Sequence, residues 1–168
     1  MLRMSFVLKK RTDGTLILVL PIWFRLLFLF IAILLAAGIY VSSFNVSRQW
    51  IPILIIAICL AAALYEEKWI FNKAEKNIEY IIGIMVINKK TIYKFQDIEN
   101  FFISGEIHSE KEGKLNRLRK KMVNFSLILK SGKVMDIDIS SGKTTNEELI
   151  NRAKKIANYC EIQFIENS

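Results

Sequence analysis

One histidine and two cysteines are all that this 168-residue chain holds of the side chains that most often bind metal or act as nucleophiles. His108 has no partners at metal-ligand spacing, which argues against a zinc or transition-metal motif. Two cysteines cannot build a disulfide framework, and there is no C-x-x-C pair. Cys59 falls inside an apolar run and Cys160 on a predicted helix, so both are expected as small buried residues on a reducing side. Glycine-rich phosphate loops are missing too. Ser-Gly-Lys occurs at residues 131–133 and 141–143, but neither copy has the longer glycine pattern of a P-loop. A serine or cysteine nucleophile needs a positioned base, and the lone histidine has no recognisable relation to one. No internal repeat is present. Charge is absent in two places: residues 26–41 and 50–65 contain no Asp, Glu, Lys or Arg.

Those two uncharged runs dominate what is there. Residues 22–41 come close to the ~20 that a helix needs to cross the hydrocarbon core. Trp23 and Tyr40 lie near the ends of this run, where amphipathic rings prefer the interface. Arg25, close to its start, is expected to snorkel to the headgroups rather than act as an intramembrane charge. The second run is shorter. It is expected to continue as helix through Glu66, Glu67 and Lys68 to Trp69, giving a hairpin of about 22–41 and 50–69. A buried pair of soluble helices is disfavoured by two successive uncharged runs with aromatic ends. A cleaved signal peptide is disfavoured by the length of the first run and the second that follows it.

The net charge of +8 is unevenly spread. Residues 1–21 carry four basic side chains and one acidic, the connector carries Arg48 alone, and the rest of the chain after residue 65 is again net basic. The positive-inside rule then places both termini in the cytoplasm and residues 42–49 outside. Basic chains also bind nucleic acid, but the anionic inner leaflet is the simpler partner for an anchored domain. Base-stacking aromatics do not interleave with the basic residues, so no nucleic-acid partner is expected.

Outside the hairpin the pattern is mostly of strands. Residues 5–20 form a β-hairpin about Asp13-Gly14, a strong tight-turn signal, and Pro21 ends it. Residues 78–87 form a buried strand, Asn88-Lys89-Lys90 a turn, 91–95 and 98–104 further strands, and 105–121 a loop. Phe125, Leu127 and Leu129 alternate with polar residues, as do Met135, Ile137 and Ile139, and Ser131-Gly132 joins the two strands. Thr145 and Glu148 make a capping box for a final helix over 145–160. Its stripe of Leu149, Ala153, Ile156 and Cys160 can cover one face of a sheet. Glu148 and Arg152 are spaced as an i,i+4 pair on its flank.

Candidate chemistry is sparse. Asp136 and Asp138 fall on one strand face; as paired carboxylates they could serve acid–base chemistry, but alternation with apolar neighbours reads more simply as a solvated face. The denser cluster is Lys114, Arg117, Arg119, Lys120 and Lys121, a candidate contact for anionic lipid or an acidic partner, set against an ordinary solvated loop. No catalytic, cofactor-binding or metal residue is assigned.

The order of these elements resembles the bacterial membrane-anchored pleckstrin-homology-like proteins. Residues 11–21 followed at once by a span, 78–87, 93–98, 125–139 and the 145–160 helix carry the resemblance. It implies an α+β fold: a two-helix transmembrane hairpin, then a bent antiparallel sheet or partly open barrel capped by a C-terminal helix. The corresponding division is 1–21 for the β-hairpin, 22–69 for the helical hairpin and 70–168 for a cytoplasmic β domain. The expected function is non-enzymatic: a binding or scaffolding domain in the bacterial inner membrane, serving a membrane protein partner, a second copy or the inner leaflet, with no cofactor. The alternative is a membrane-embedded enzyme or accessory subunit acting on lipid, using Arg25 and the Asp136/Asp138 pair.

Overall fold

The computed structural model describes residues 6–41, 46–85, 87–107, 121–141 and 143–167. The fold is α+β. Strands β1 (Val7–Lys10) and β2 (Leu16–Val19) pair about the expected turn. Gly14 takes a φ of +85°, which a side chain would resist. Asp13 accepts hydrogen bonds from Thr15 N at 2.9 Å and Thr15 Oγ1 at 2.6 Å. Those bonds hold its carboxyl below the usual carboxylate range.

Helices α1 (Ile22–Val41) and α2 (Val46–Ala63) follow and pack on each other. At ~1.5 Å per residue the 20 residues of α1 span about 30 Å. It is the one described helix long and apolar enough to cross a bilayer; the apolar part of α2, Trp50–Ala63, is shorter. Ala32 and Cys59 are buried, whereas Leu26, Phe30, Ile33, Trp50, Leu54 and Ile58 are exposed.

The chain returns directly to the sheet. Strand β3 (Tyr65–Asn72) pairs antiparallel with β2, from Val19↔Lys68 to Leu16↔Phe71. Strands β4 (Asn77–Ile84) and β5 (Ile87–Lys94) extend the meander, giving the order β1-β2-β3-β4-β5. The helix expected to reach Trp69 therefore stops at Ala63. From Tyr65 the chain pairs on both sides, with β2 and β4 as partners that bury Trp69 and Phe71 to 1% or less. The expected turn at Asn88-Lys89-Lys90 also moves. Those residues pair with Ile81–Gly83 inside β5, and the chain reverses between Ile84 and Ile87. Gly83 permits this: at φ +151° a Cβ there would lie 2.4 Å from the Ile87 carbonyl oxygen.

A single 3-10 turn at Phe95–Asp97 leads into a second sheet. Strands β6 (Ile98–Ile107), β7 (Lys121–Leu129) and β8 (Val134–Ser141) are antiparallel neighbours. Helix α3 (Lys143–Cys160) comes next, then β9 (Phe164–Asn167), which pairs parallel to β6. The strands are thus divided between two sheets, and the second is mixed where an antiparallel one was expected. Helix α3 begins two residues before Thr145, so that residue sits in the first turn and not at the cap.

The inner faces of both sheets and one side of α3 make a single core. Trp69, Phe71 and Ile78 meet Phe101, Phe125 and Leu127, closed over by Leu149, Ala153 and Ile156. Rings touch across the interface, with Phe71–Phe101 at 6.4 Å and Phe101–Phe125 at 5.6 Å. Each such side chain contributes about 2–3 kcal/mol by leaving water. Both cysteines are free and buried, as their surroundings in the sequence suggested; burial pushes the Cys160 thiol up to about 12.

Candidate functional site

Polar groups gather on the inner face of the first sheet near the end where the helices attach. Tyr65, Glu67, Trp69 and Phe71 share a face of β3 because alternate residues of a strand point the same way. The buried rings of Trp69 and Phe71 fix that face inward, so Glu67 is carried inward too. Its carboxylate accepts hydrogen bonds from Tyr65 Oη and Tyr80 Oη, each at 3.0 Å. Burial, reinforced by Glu67, raises both phenols above their ordinary range. Tyr80 is further held against Trp69, ring centroids 4.3 Å apart.

Facing this cluster is Asp138, placed by an irregularity in β8. Phe125 pairs with Asp138 and Ser126 with Asp136, which leaves Ile137 as an extra residue. The bulge turns both Ile137 and Asp138 inward and Ile139 out. The two aspartates expected to share a solvated face are thereby separated. Asp136 stays outside, accepting from Ser126 Oγ at 2.8 Å and Asn124 Nδ2 at 3.0 Å. Asp138 is 5% exposed and accepts from the Ile139 amide at 2.9 Å. Burial raises its pKa to about 6, opposed by Arg152 and assisted by the charge of Glu67.

Arg152 joins the parts. From α3 its Nη2 lies 3.1 Å from Asp138 Oδ2, and Nη1 donates to the Phe6 carbonyl. One guanidinium therefore ties β8 and α3 to the entry of β1. Further along α3, Tyr159 Oη donates to the Gly14 carbonyl at 2.9 Å. These bonds fasten α3 to the start of β1 and to the β1–β2 turn. Between α3 and β1 runs an open groove of about 470 Å³, lined by Phe6, Val7, Leu8, Glu148, Asn151, Arg152 and Lys155.

The other candidates are dispersed. Arg25 approaches Glu66 at 3.9 Å on the outer face of β3, where Lys68 also meets Glu66 at 3.0 Å. Arg25, Asp136 and Asp138 are not brought together. Lys114, Arg117, Arg119 and Lys120 lie outside the described residues, as does His108; Lys121 opens β7 opposite Ile107, its side chain also outside them. Among the described residues no three His, Cys, Asp or Glu side chains converge as metal ligands. Sequence reasoning missed Glu67, Tyr80 and the Asp138–Arg152 pair, because each depends on strand pairing remote in sequence. No protein-family model matches this chain, and no curated protein matches it.

Proposed function

We propose that this chain is a non-enzymatic integral membrane protein whose α1–α2 hairpin crosses the bilayer twice, holding a pleckstrin-homology-like binding domain against the cytoplasmic face. One observation carries the reading. Two neighbouring strands of one sheet, β2 and β3, run without a linker into α1 and out of α2, and both helices expose apolar side chains along their length. Such helices are unsuited to water and suited to lipid. On this reading α2, which packs along α1, lies in the same layer although its apolar part is shorter.

The sheet also argues against α1 as a removable leader. Cleavage behind it would take away β1 and β2, and with them the buried Leu18. The excess of basic residues at both outer flanks favours cytoplasmic termini. Lys114, Arg117, Arg119, Lys120 and Lys121 are the proposed contacts with anionic lipid or an acidic partner, and the α3–β1 groove is a second docking place. The resemblance to membrane-anchored pleckstrin-homology-like proteins suits a sandwich closed by a C-terminal helix.

A membrane-impermeant thiol reagent tests the topology in intact cells. Ser43→Cys should react from outside, and Ser168→Cys only after lysis; the reverse pattern sinks the reading. Purification of the full chain in mild detergent should then bring down a membrane protein or a second copy. A chain that comes through alone, yet turns over lipid until Asp138 is changed to Asn, would favour the enzyme instead.

A further inference from the structure

The β4–β5 hairpin ends in apolar side chains that stand exposed. Ile84 is 40% exposed, Met85 64% and Ile87 80%, whereas Ile78, further along β4, is fully buried. Solvated residues begin directly behind this tip, with Asn88, Lys89 and Lys90 all exposed.

The position of the tip is fixed by two observations. Ile84 pairs with both Tyr65 and Ile87, so the reversal lies at the end of the sheet where β3 leaves α2. The Met85 amide also donates to the carbonyl of Leu64, the residue after α2, at 3.0 Å. Leu64 is itself exposed, so the apolar surface of α2 continues without a break onto Met85 and Ile87. A surface that starts as the side of a membrane helix and ends on a hairpin tip, with lysine behind it, has the order of an interfacial anchor: apolar side chains at the acyl boundary, cations at the headgroups.

We propose that the Ile84, Met85 and Ile87 tip is seated in the interfacial layer of the same bilayer, as a third point of attachment beside α1 and α2. This rests on the membrane reading above. The row of strand ends from β2 to β5 then meets the lipid together, about 4.8 Å apart. The domain is thereby held against tilting about the helical hairpin, and Lys89 is set at the level of anionic headgroups.

The full chain in vesicles containing phosphatidylglycerol supplies the test. A polarity-sensitive thiol fluorophore is attached at Ile87→Cys, and separately at Ile33→Cys in α1 and Ile92→Cys in β5. All three side chains are exposed and the two native cysteines are buried, so labelling is directed and no core contact is removed. The label at position 87 should be quenched by shallow nitroxide lipids at least about twofold more strongly than the one at 92, and less by aqueous iodide. If 87 behaves like 92 while 33 stays in lipid, the tip proposal is overturned and the anchor stands. Protection of 87 from both quenchers would mean that protein covers the tip, and would overturn it equally. If 33 is open to iodide, the membrane reading fails and this inference falls with it.

Discussion

Asp138 illustrates how one inserted residue changes chemistry. The unfolded chain releases its proton near 3.8 and the folded chain near 6, so between those values the folded state holds a proton that the unfolded state has lost. The contribution of this group to stability therefore grows as pH falls through 6 and is complete below about 4. Between about pH 7.5 and about pH 5 the gain should be of order 1 kcal/mol. Urea unfolding of the detergent-solubilised chain should detect it, and Asp138→Asn should flatten the difference between the two pH values. Equal pH dependence in both proteins would show that Arg152 compensates the charge fully. The alternation over Met135, Ile137 and Ile139 correctly marks a strand. It misplaces Asp138 because a bulge exists only relative to the partner strand, and Phe125 and Ser126 carry no local sign of it.

At the scale of elements, the hairpin about Asp13-Gly14, the β7–β8 pair and the apolar stripe of α3 were all legible, because each depends on residues near one another in sequence. The helix-to-strand change at Tyr65 was not. Local polarity there fits either state, and pairing with β2 and β4 decides it. Strand β9 was missed for a similar reason: four residues pair in parallel with a strand that lies far upstream. The β4–β5 reversal turns on Gly83, and a methyl group there would overlap the Ile87 carbonyl and the Asn88 Cα at 2.7 Å. Gly83→Ala should destabilise the chain by about 1–3 kcal/mol, read as a lower urea midpoint. An unchanged midpoint would mean that the reversal shifts freely and that the glycine is incidental.

For the whole molecule, the N-terminal hairpin belongs to the same sheet as the strands that follow the helices. Since Val19 pairs with Lys68, Leu20 and Glu67 come opposite each other where the β2–β3 pairing ends. Replacing residues 21–66 by an Asn-Gly turn should then give a folded, water-soluble domain, because a two-residue loop closes such a pair. A fragment that starts at Tyr65 should aggregate, since it loses Leu18 and opens the β3 edge. Gel filtration and circular dichroism compare the two. A well-folded fragment from Tyr65 would make the hairpin an accessory rather than part of the core. Nothing in the sequence announces this union, because the strands it joins stand on opposite sides of both apolar runs.

The direct passage from β2 into α1 and from α2 into β3 also bears on the order in which the chain acquires its structure. Closing a long flexible segment to pair two remote strands is entropically costly and slow. On the proposed topology, lipid removes that difficulty. Once the helices have inserted side by side, their ends on one side of the bilayer bring the end of β2 beside the start of β3, and the remote pairing becomes as local as an ordinary hairpin. The bilayer then acts as a template on which the sheet nucleates, with β2 and β3 as its seed. A chain released without insertion must search for that contact unaided, with Trp69 and Phe71 exposed to aggregation for as long as the search lasts.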